Sequence, residues 1–300
     1  MKIKNVVLVS FGLLLTSFSV NAQLNVLNAK TPEEIGVKTE DQLAYDNDIP
    51  LPYGFIDDRD VLWSKSTWEI IDLDERVNFP LYYPIDTNNI GTERRSLYDV
   101  LVKNIKNGTI EHVYADSYFK EKRTLKDIEA SLVYKDTTDA GIEQFNAEGI
   151  VDDEYIREFT LDAGDIEEWR IRGYWFLDKR SSDLKYRLLG ICPVANEARS
   201  KAFPDENMDS KVELFWIWFP ATREVLHKAK AFNRKNTSRP ISYDHLLNSR
   251  RFNAVIYKED NDLGDREIKE YINDNALMQL LESDRIKEVI RNIEIDMWNY

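Results

Sequence analysis

The sequence predicts an α+β fold: an antiparallel sheet packed with helices, preceded by an extended N-terminal arm. Three observations carry this. Ile166–Leu177, Tyr186–Pro193 and Val212–Phe219 are short, aromatic or β-branched runs bounded by Asp, Ser, Pro or Gly, as strands are. The polar link Asp178–Asp183 is short enough to join the first two as a hairpin. Helical apolar spacing recurs on both sides of these runs, and such helices need the face of a sheet to bury against.

Taken in order, Lys2 and Lys4, then the apolar run Val6–Val20, then Val20-Asn21-Ala22 form a secretory leader, with cleavage expected between Ala22 and Gln23. No cysteine follows the cut, so no lipid is expected there. Residues 23–60 read as an extended acidic arm, with a short turn at Thr31–Glu34 and Pro50, Pro52 and Gly54 breaking any periodicity. The body is 61–300 and can be divided near 135–165. Val61–Trp63, Trp68, Ile70–Ile71 and Leu73 recur at helical spacing, ended by Pro80 and Pro84. Ser96 is placed to cap a helix through Ile105, with Asn107-Gly108 ending it. A short strand is expected at Ile110–Tyr114, and a helix from Thr124 to about Tyr134. Residues 135–165 read as an acidic surface excursion. Helices follow at Val225–Phe232 and Ser242–Arg250, then a strand at Phe252–Tyr257 and a short helix at Asp265–Ile272. Leu277, Leu280, Leu281, Ile286, Val289, Ile290, Ile293 and Met297 make the last helix, its apolar residues read as one stripe docked on the sheet.

Composition bounds the function. Lys and Arg number 40 against 54 Asp and Glu, net −14, and losing Lys2 and Lys4 with the leader takes this to −16. That argues against a phosphate-backbone ligand. No hydrophobic run after the leader reaches membrane length. Cys192 is the sole cysteine, so there is no internal disulfide, and it reads as a buried, inert thiol.

Catalytic and metal readings are weak. His112, His227 and His245 stand apart, without zinc-ligand spacing. Glu259–Glu270 has the length of a calcium loop with Gly264 at the sixth place. But Glu259 stands where Asp is wanted and Leu263 cannot ligate, so a turn feeding a helix is the better reading. The acid pairs Glu167–Glu168 and Asp152–Asp153 keep open an alternative, a periplasmic carboxylate-dependent hydrolase, which needs two carboxyls facing one cleft. Thr137 could carry an O-glycan or lie in a plain loop. No catalytic residue, metal ligand or cofactor is assigned.

Charge layout says more. Residues 40–60 carry seven carboxylates against Arg59, while Arg223–Arg251 carries eight Lys or Arg against Glu224 and Asp244. The expectation is a contact between subunits, with Asp57, Asp58 and Asp60 of one arm on Lys228, Lys230, Arg234 and Lys235 of a neighbour, in a head-to-tail sense that can close rings. Two solvated surfaces, or contact within one chain, remain alternatives.

Several strings are long and idiosyncratic: Asp60–Trp63 (DVLW), Ile71–Pro80 (IDLDERVNFP), Gly190–Pro193 (GICP), Leu214–Trp216 (LFW), Ser249–Phe252 (SRRF), and Asp265-Arg266 leading to Glu294–Trp298 (EIDMW). On these the chain resembles, over nearly all its mature length, the GldN family, called PorN in non-gliding relatives, of the type IX secretion machinery of Bacteroidetes. The resemblance implies a non-enzymatic periplasmic subunit that forms a large ring with an outer-membrane lipoprotein, GldK or PorK, and meets the periplasmic part of the GldM or PorM motor protein. It implies a role in protein export and, in gliding cells, movement. It brings no catalytic motif, no nucleic acid and no direct membrane insertion.

Overall fold

The computed structural model describes residues 29–34, 40, 48–88, 94–203, 211–236 and 240–298. The leader and its Ala22–Gln23 junction lie outside the described residues, as does much of the arm. The turn expected at Thr31–Glu34 is present, as a 3-10 turn over Pro32–Glu34.

In chain order the body runs β1 (Val61–Asp72), α1 (Phe79–Tyr82), α2 (Leu97–Lys106), β2 (Val113–Tyr114), β3 (Lys122–Arg123), α3 (Leu125–Leu132), β4 (Val133–Thr137), α4 (Asp139–Glu148), β5 (Ile156–Thr160), β6 (Ile166–Asp178) and β7 (Asp183–Asn196). There follow α5 (Ala198–Ala202), β8 (Lys211–Glu213), β9 (Trp216–Trp218), α6 (Phe219–Lys228), β10 (Lys230–Ala231), β11 (Ile241–Ser242), α7 (Tyr243–Asn248), β12 (Val255–Glu259), α8 (Ile268–Tyr271) and α9 (Ala276–Trp298). The main sheet has the order β12-β1-β6-β7-β9-β2-β3, with β8 also on β7, and every pairing is antiparallel. The fold is α+β.

The hairpin β6–β7 is the spine, and it is longer at both ends than the apolar runs suggest. A bulge sets its phase. Arg172 pairs Gly190 and Gly173 pairs Leu188, so β7 spends one extra residue there, and Leu188 and Ile191 end up in the same core. Both glycines sit beneath aromatic rings: a Cβ on Gly173 would lie 2.2 Å from the Tyr186 ring, and one on Gly190 would lie 2.4 Å from Phe119. Pro193 falls between the β7–β9 and β7–β8 pairings, where no neighbouring strand needs its missing N–H.

Alternation sorts the strands into two layers. Ile71, Trp169, Ile171, Ile191 and Ile217 pack with helices α2, α3, α6 and α7 through Leu97, Leu101, Ile128, Leu226 and Leu247. Trp68, Cys192, Val194 and Trp216 face the other way, with Tyr114, Tyr118, Phe119 and Tyr257 around them. Fully burying one large apolar side chain is worth about 1.5–3 kcal/mol. Trp68, Trp169 and Trp216, each within 1% of complete burial, therefore anchor both layers.

Caps behave as their chemistry requires. Ser96 accepts from the Asp99 N–H, Thr124 and Asp127 form a reciprocal capping box, and Ser242 accepts from the His245 N–H.

Three expectations are corrected and one is refined. Val61–Leu73 is not helical; it is β1, held between β12 and β6. Ser66–Glu69 is buried on both faces, which erases the alternation that identifies a strand. Val212–Phe219 is two strands, β8 and β9, because the Leu214 N–H turns to the Pro193 carbonyl, and Phe219 already begins α6 with Pro220 in its first turn. Residues 135–165 lie largely at the surface, as expected, and are ordered there: β4 and β5 form a ribbon around α4. The α9 stripe is split. Ile286 and Ile290 dock against Ile256 of β12 and Ile268 of α8, while Leu277, Leu280 and Leu281 are exposed. At 3.6 residues per turn Leu277 and Leu281 lie nearly opposite Ile286 and Ile290.

Candidate interaction surface

The arm does not hang free where it is described. Residues 48–60 run across the end of the body formed by α6, α7 and the β6–β7 turn; the stretch 48–55, the strap, meets it through side chains, while Asp60 accepts from the Lys179 N–H. Asp48 Oδ1 lies 2.8 Å from His227 Nε2, and Lys230 Nζ donates to Asp48 Oδ2 at 3.3 Å. Partial burial pushes the Asp48 carboxyl up; Lys230 and His227 outweigh that and hold it below the usual carboxylate range.

Tyr53 is the anchor. Its ring lies between two guanidinium groups, 4.6 Å from Arg187 and 4.1 Å from Arg223. Its hydroxyl donates to Asn248 Oδ1 at 2.8 Å. Arg223 is itself fixed by a two-point pair with Asp244, at 2.7 and 3.1 Å, and Asn248 Nδ2 donates to the same carboxylate. The result is a closed circuit, Arg223–Asp244–Asn248–Tyr53, built by α6 and α7. Burial raises the Tyr53 hydroxyl pKa. Further along, Arg187 donates to the Gly54 carbonyl and Arg180 to the Phe55 carbonyl.

Beside the strap is an open groove of about 590 Å³ whose walls include Asp48, Ile49, Leu51, His245 and Arg251. Lys228, Arg234, Lys235 and Arg251 are exposed around this end of the body, and none has a carboxylate partner among the described residues. Of the carboxylates singled out in the sequence, Asp57 pairs with Arg59 at 3.0 Å and Asp60 with Arg180 at 3.1 Å, while Asp58 makes no ion pair among the described residues. Within the chain it is Asp48, through Lys230, that brings arm and patch together. Tyr53 and Arg187 carried no local signal of this role: they meet only because β7 folds back beneath the arm.

The other candidate residues are absorbed by structure. Glu168 pairs with Arg170 and Lys211, and Glu167 with Lys211 and Asn196; Arg170 also reaches Glu213 at 2.7 Å. Asp152 is held by Gln144. Cys192 is fully buried, and burial pushes its thiol well up. In the loop that has a calcium-site length, Glu259 pairs with Lys65, Asp260 accepts from the Ser66 N–H, and Asn261 and Asp265 satisfy the turn internally. His112 Nε2 lies 3.5 Å from Lys122 Nζ. Among the described residues no group of three or more His, Cys, Asp or Glu could hold a metal ion, and no helix is long and apolar enough to cross a membrane.

Among the described residues the body therefore presents a basic face crossed by the arm and an α9 start with exposed Leu277, Leu280 and Leu281. The model of the family described as gliding motility associated protein GldN matches residues 56–299, and the chain belongs to that family, a structural component of gliding motility and type IX secretion. No curated protein compared with the chain matches it. The matched stretch begins after Tyr53: the seat on the body falls within it, and the strap residues 48–55 fall before it.

Proposed function

We propose that this chain is exported by cleavage between Ala22 and Gln23 and serves, without catalysis, as a subunit of a periplasmic ring at the inner face of the outer membrane. In this reading the arm, 23–60, and the body, 61–300, are the two working units. The ring forms with an outer-membrane lipoprotein of the GldK or PorK kind and meets the periplasmic part of a GldM or PorM motor protein. The observation that carries this is the family match across the whole body.

The surface chemistry supports it. Glu167 and Glu168 are paired with Lys211, and Asp152 is held by Gln144, so these carboxylates have structural partners, which favours the scaffold reading over the hydrolase alternative. Exposed Leu277, Leu280 and Leu281 offer apolar area of the kind that subunit contacts cover. The test is gentle detergent extraction of the outer-membrane fraction, affinity capture through a C-terminal tag, and imaging of what co-purifies. Large rings containing a lipoprotein are expected. A lone monomer, captured without any lipoprotein, overturns the reading.

A further inference from the structure

We propose that the strap is exchanged between copies: residues 48–53 of one chain occupy the Arg187–Arg223–Asn248 seat of the next, in head-to-tail order. This rests on the ring reading above and names the contact that would join one subunit to the next.

Four features of the strap point this way. First, residues 48–53 meet the body through the Asp48 and Tyr53 side chains and join no strand. Asp48 meets His227 and Lys230, and Tyr53 meets Arg187, Arg223 and Asn248; these contacts are the same whichever copy supplies the strap. Exchange of an identical element is a low-cost route to association for this reason. Second, a hinge lies at the right place. Gly54 has open space where a Cβ would be and is held through its carbonyl by Arg187 at 3.2 Å, whereas Asp60 is tied to its own body by the Lys179 N–H at 2.7 Å and by Arg180. Movement at Gly54 swings residues 48–53 and leaves the root of β1 in place.

Third, the strap leaves apolar area uncovered. Ile49 is 67% exposed and Leu51 78%, on a segment stiffened by Pro50 and Pro52. Fourth, the charges are complementary in excess of what the chain satisfies internally. Lys228, Arg234, Lys235 and Arg251 are exposed without carboxylate partners among the described residues, Arg251 on the same groove as Asp48, and the arm's sequence carries Glu40, Asp41 and Asp46 ahead of Asp48. The occupant is therefore a second copy of this chain, whose arm carries the acidic and apolar residues that this face lacks.

Exchange is read directly by cross-linking. Ile49→Cys and Asn233→Cys place two thiols in the lining of the same groove, and Cys192, fully buried, stays silent. In assembled particles carrying both substitutions, a short bismaleimide is expected to give a ladder of dimers, trimers and longer chains. A mixture of the two single variants is expected to give two-chain products. Rings in which the double variant yields only internally bridged monomers overturn the exchange and leave the ring reading standing. Native chains that form no rings overturn both. A second measurement removes any doubt about folding: Asp48→Lys and Lys230→Glu chains should each assemble poorly alone and recover when mixed, because only contacts between chains can be repaired by mixing. Failure to recover on mixing, with each variant folded and monomeric, overturns the proposal.

Discussion

The β6–β7 hairpin and the strap over residues 48–55 are fastened by opposite means. The hairpin is a continuous antiparallel ladder with aromatic rings pressed onto its glycines. The strap has no ladder; it is fastened by a tyrosine between two arginines and by one carboxylate on two basic groups. Ladder and core respond to packing volume. The strap responds to charge, and ion pairs that are partly exposed are worth roughly 0–1 kcal/mol and are weakened by salt. One chain thus holds a part that must stay assembled and a part that can let go under ordinary changes of solution.

The largest effect is expected where a charge is buried under the hairpin. Glu69 is 1% exposed and is held by Arg250 at 2.6 and 3.2 Å, with Arg250 also over the Tyr186 ring. Arg250→Ala leaves that carboxylate unpaired and should cost about 3 kcal/mol in a urea titration. A loss below about 1 kcal/mol would mean that the pair does not support the sheet. Next comes Gly173→Ala, whose new methyl meets the Tyr186 ring; overpacking of this kind costs about 1–3 kcal/mol, and a fully stable variant would contradict the tight fit.

Tyr53→Ala should move global stability by less than about 0.5 kcal/mol while making the strap far more sensitive to limited proteolysis. If proteolysis of residues 48–60 is unchanged, the tyrosine is not the anchor.

The smallest effects are those of pH. Asp178, held by Lys185 and by the Arg180 backbone, titrates at about 2, below the ordinary value of 3.8. Its contribution is present above the ordinary value and is lost as pH falls through about 2, so Asp178→Asn should flatten the stability profile between those two values. Asp48 is also depressed, by Lys230 and His227, so its hold on the strap should persist through the ordinary carboxylate range and weaken only below it, visible as faster cleavage of residues 48–55 by an acid protease. Cleavage that quickens already within that range would contradict the pairing.

Sequence reasoning succeeded where the signal is local. The Ser96, Thr124 and Ser242 caps each speak to a backbone group three residues away, and the β6–β7 link is four residues long. It failed where burial is decided by distant partners. β1 lost its alternation because β12 and β6 enclose it, and β4 could not be seen as a strand because its partner β5 comes after a whole helix. For the surface, opposite charge in the arm and in 223–251 was legible, yet the residue that makes the ion pairs is Asp48, upstream of Asp57, Asp58 and Asp60. Arg187 was invisible, since its role depends on β7 passing beneath Tyr53. The split of α9 was legible in principle, because helical angles alone separate Leu277 from Ile286.

The burial of Cys192 gives the molecule a built-in reporter. Its thiol lies inside the Trp68–Trp216 layer, with no exposed surface and a pKa raised by burial. A thiol reagent can modify it only during an opening that parts β7 from its covering aromatic rings. The modification rate therefore counts such openings, with the same atom serving for the isolated chain and for the chain inside any particle it builds. A slower rate in the particle would record how far neighbours brace the sheet.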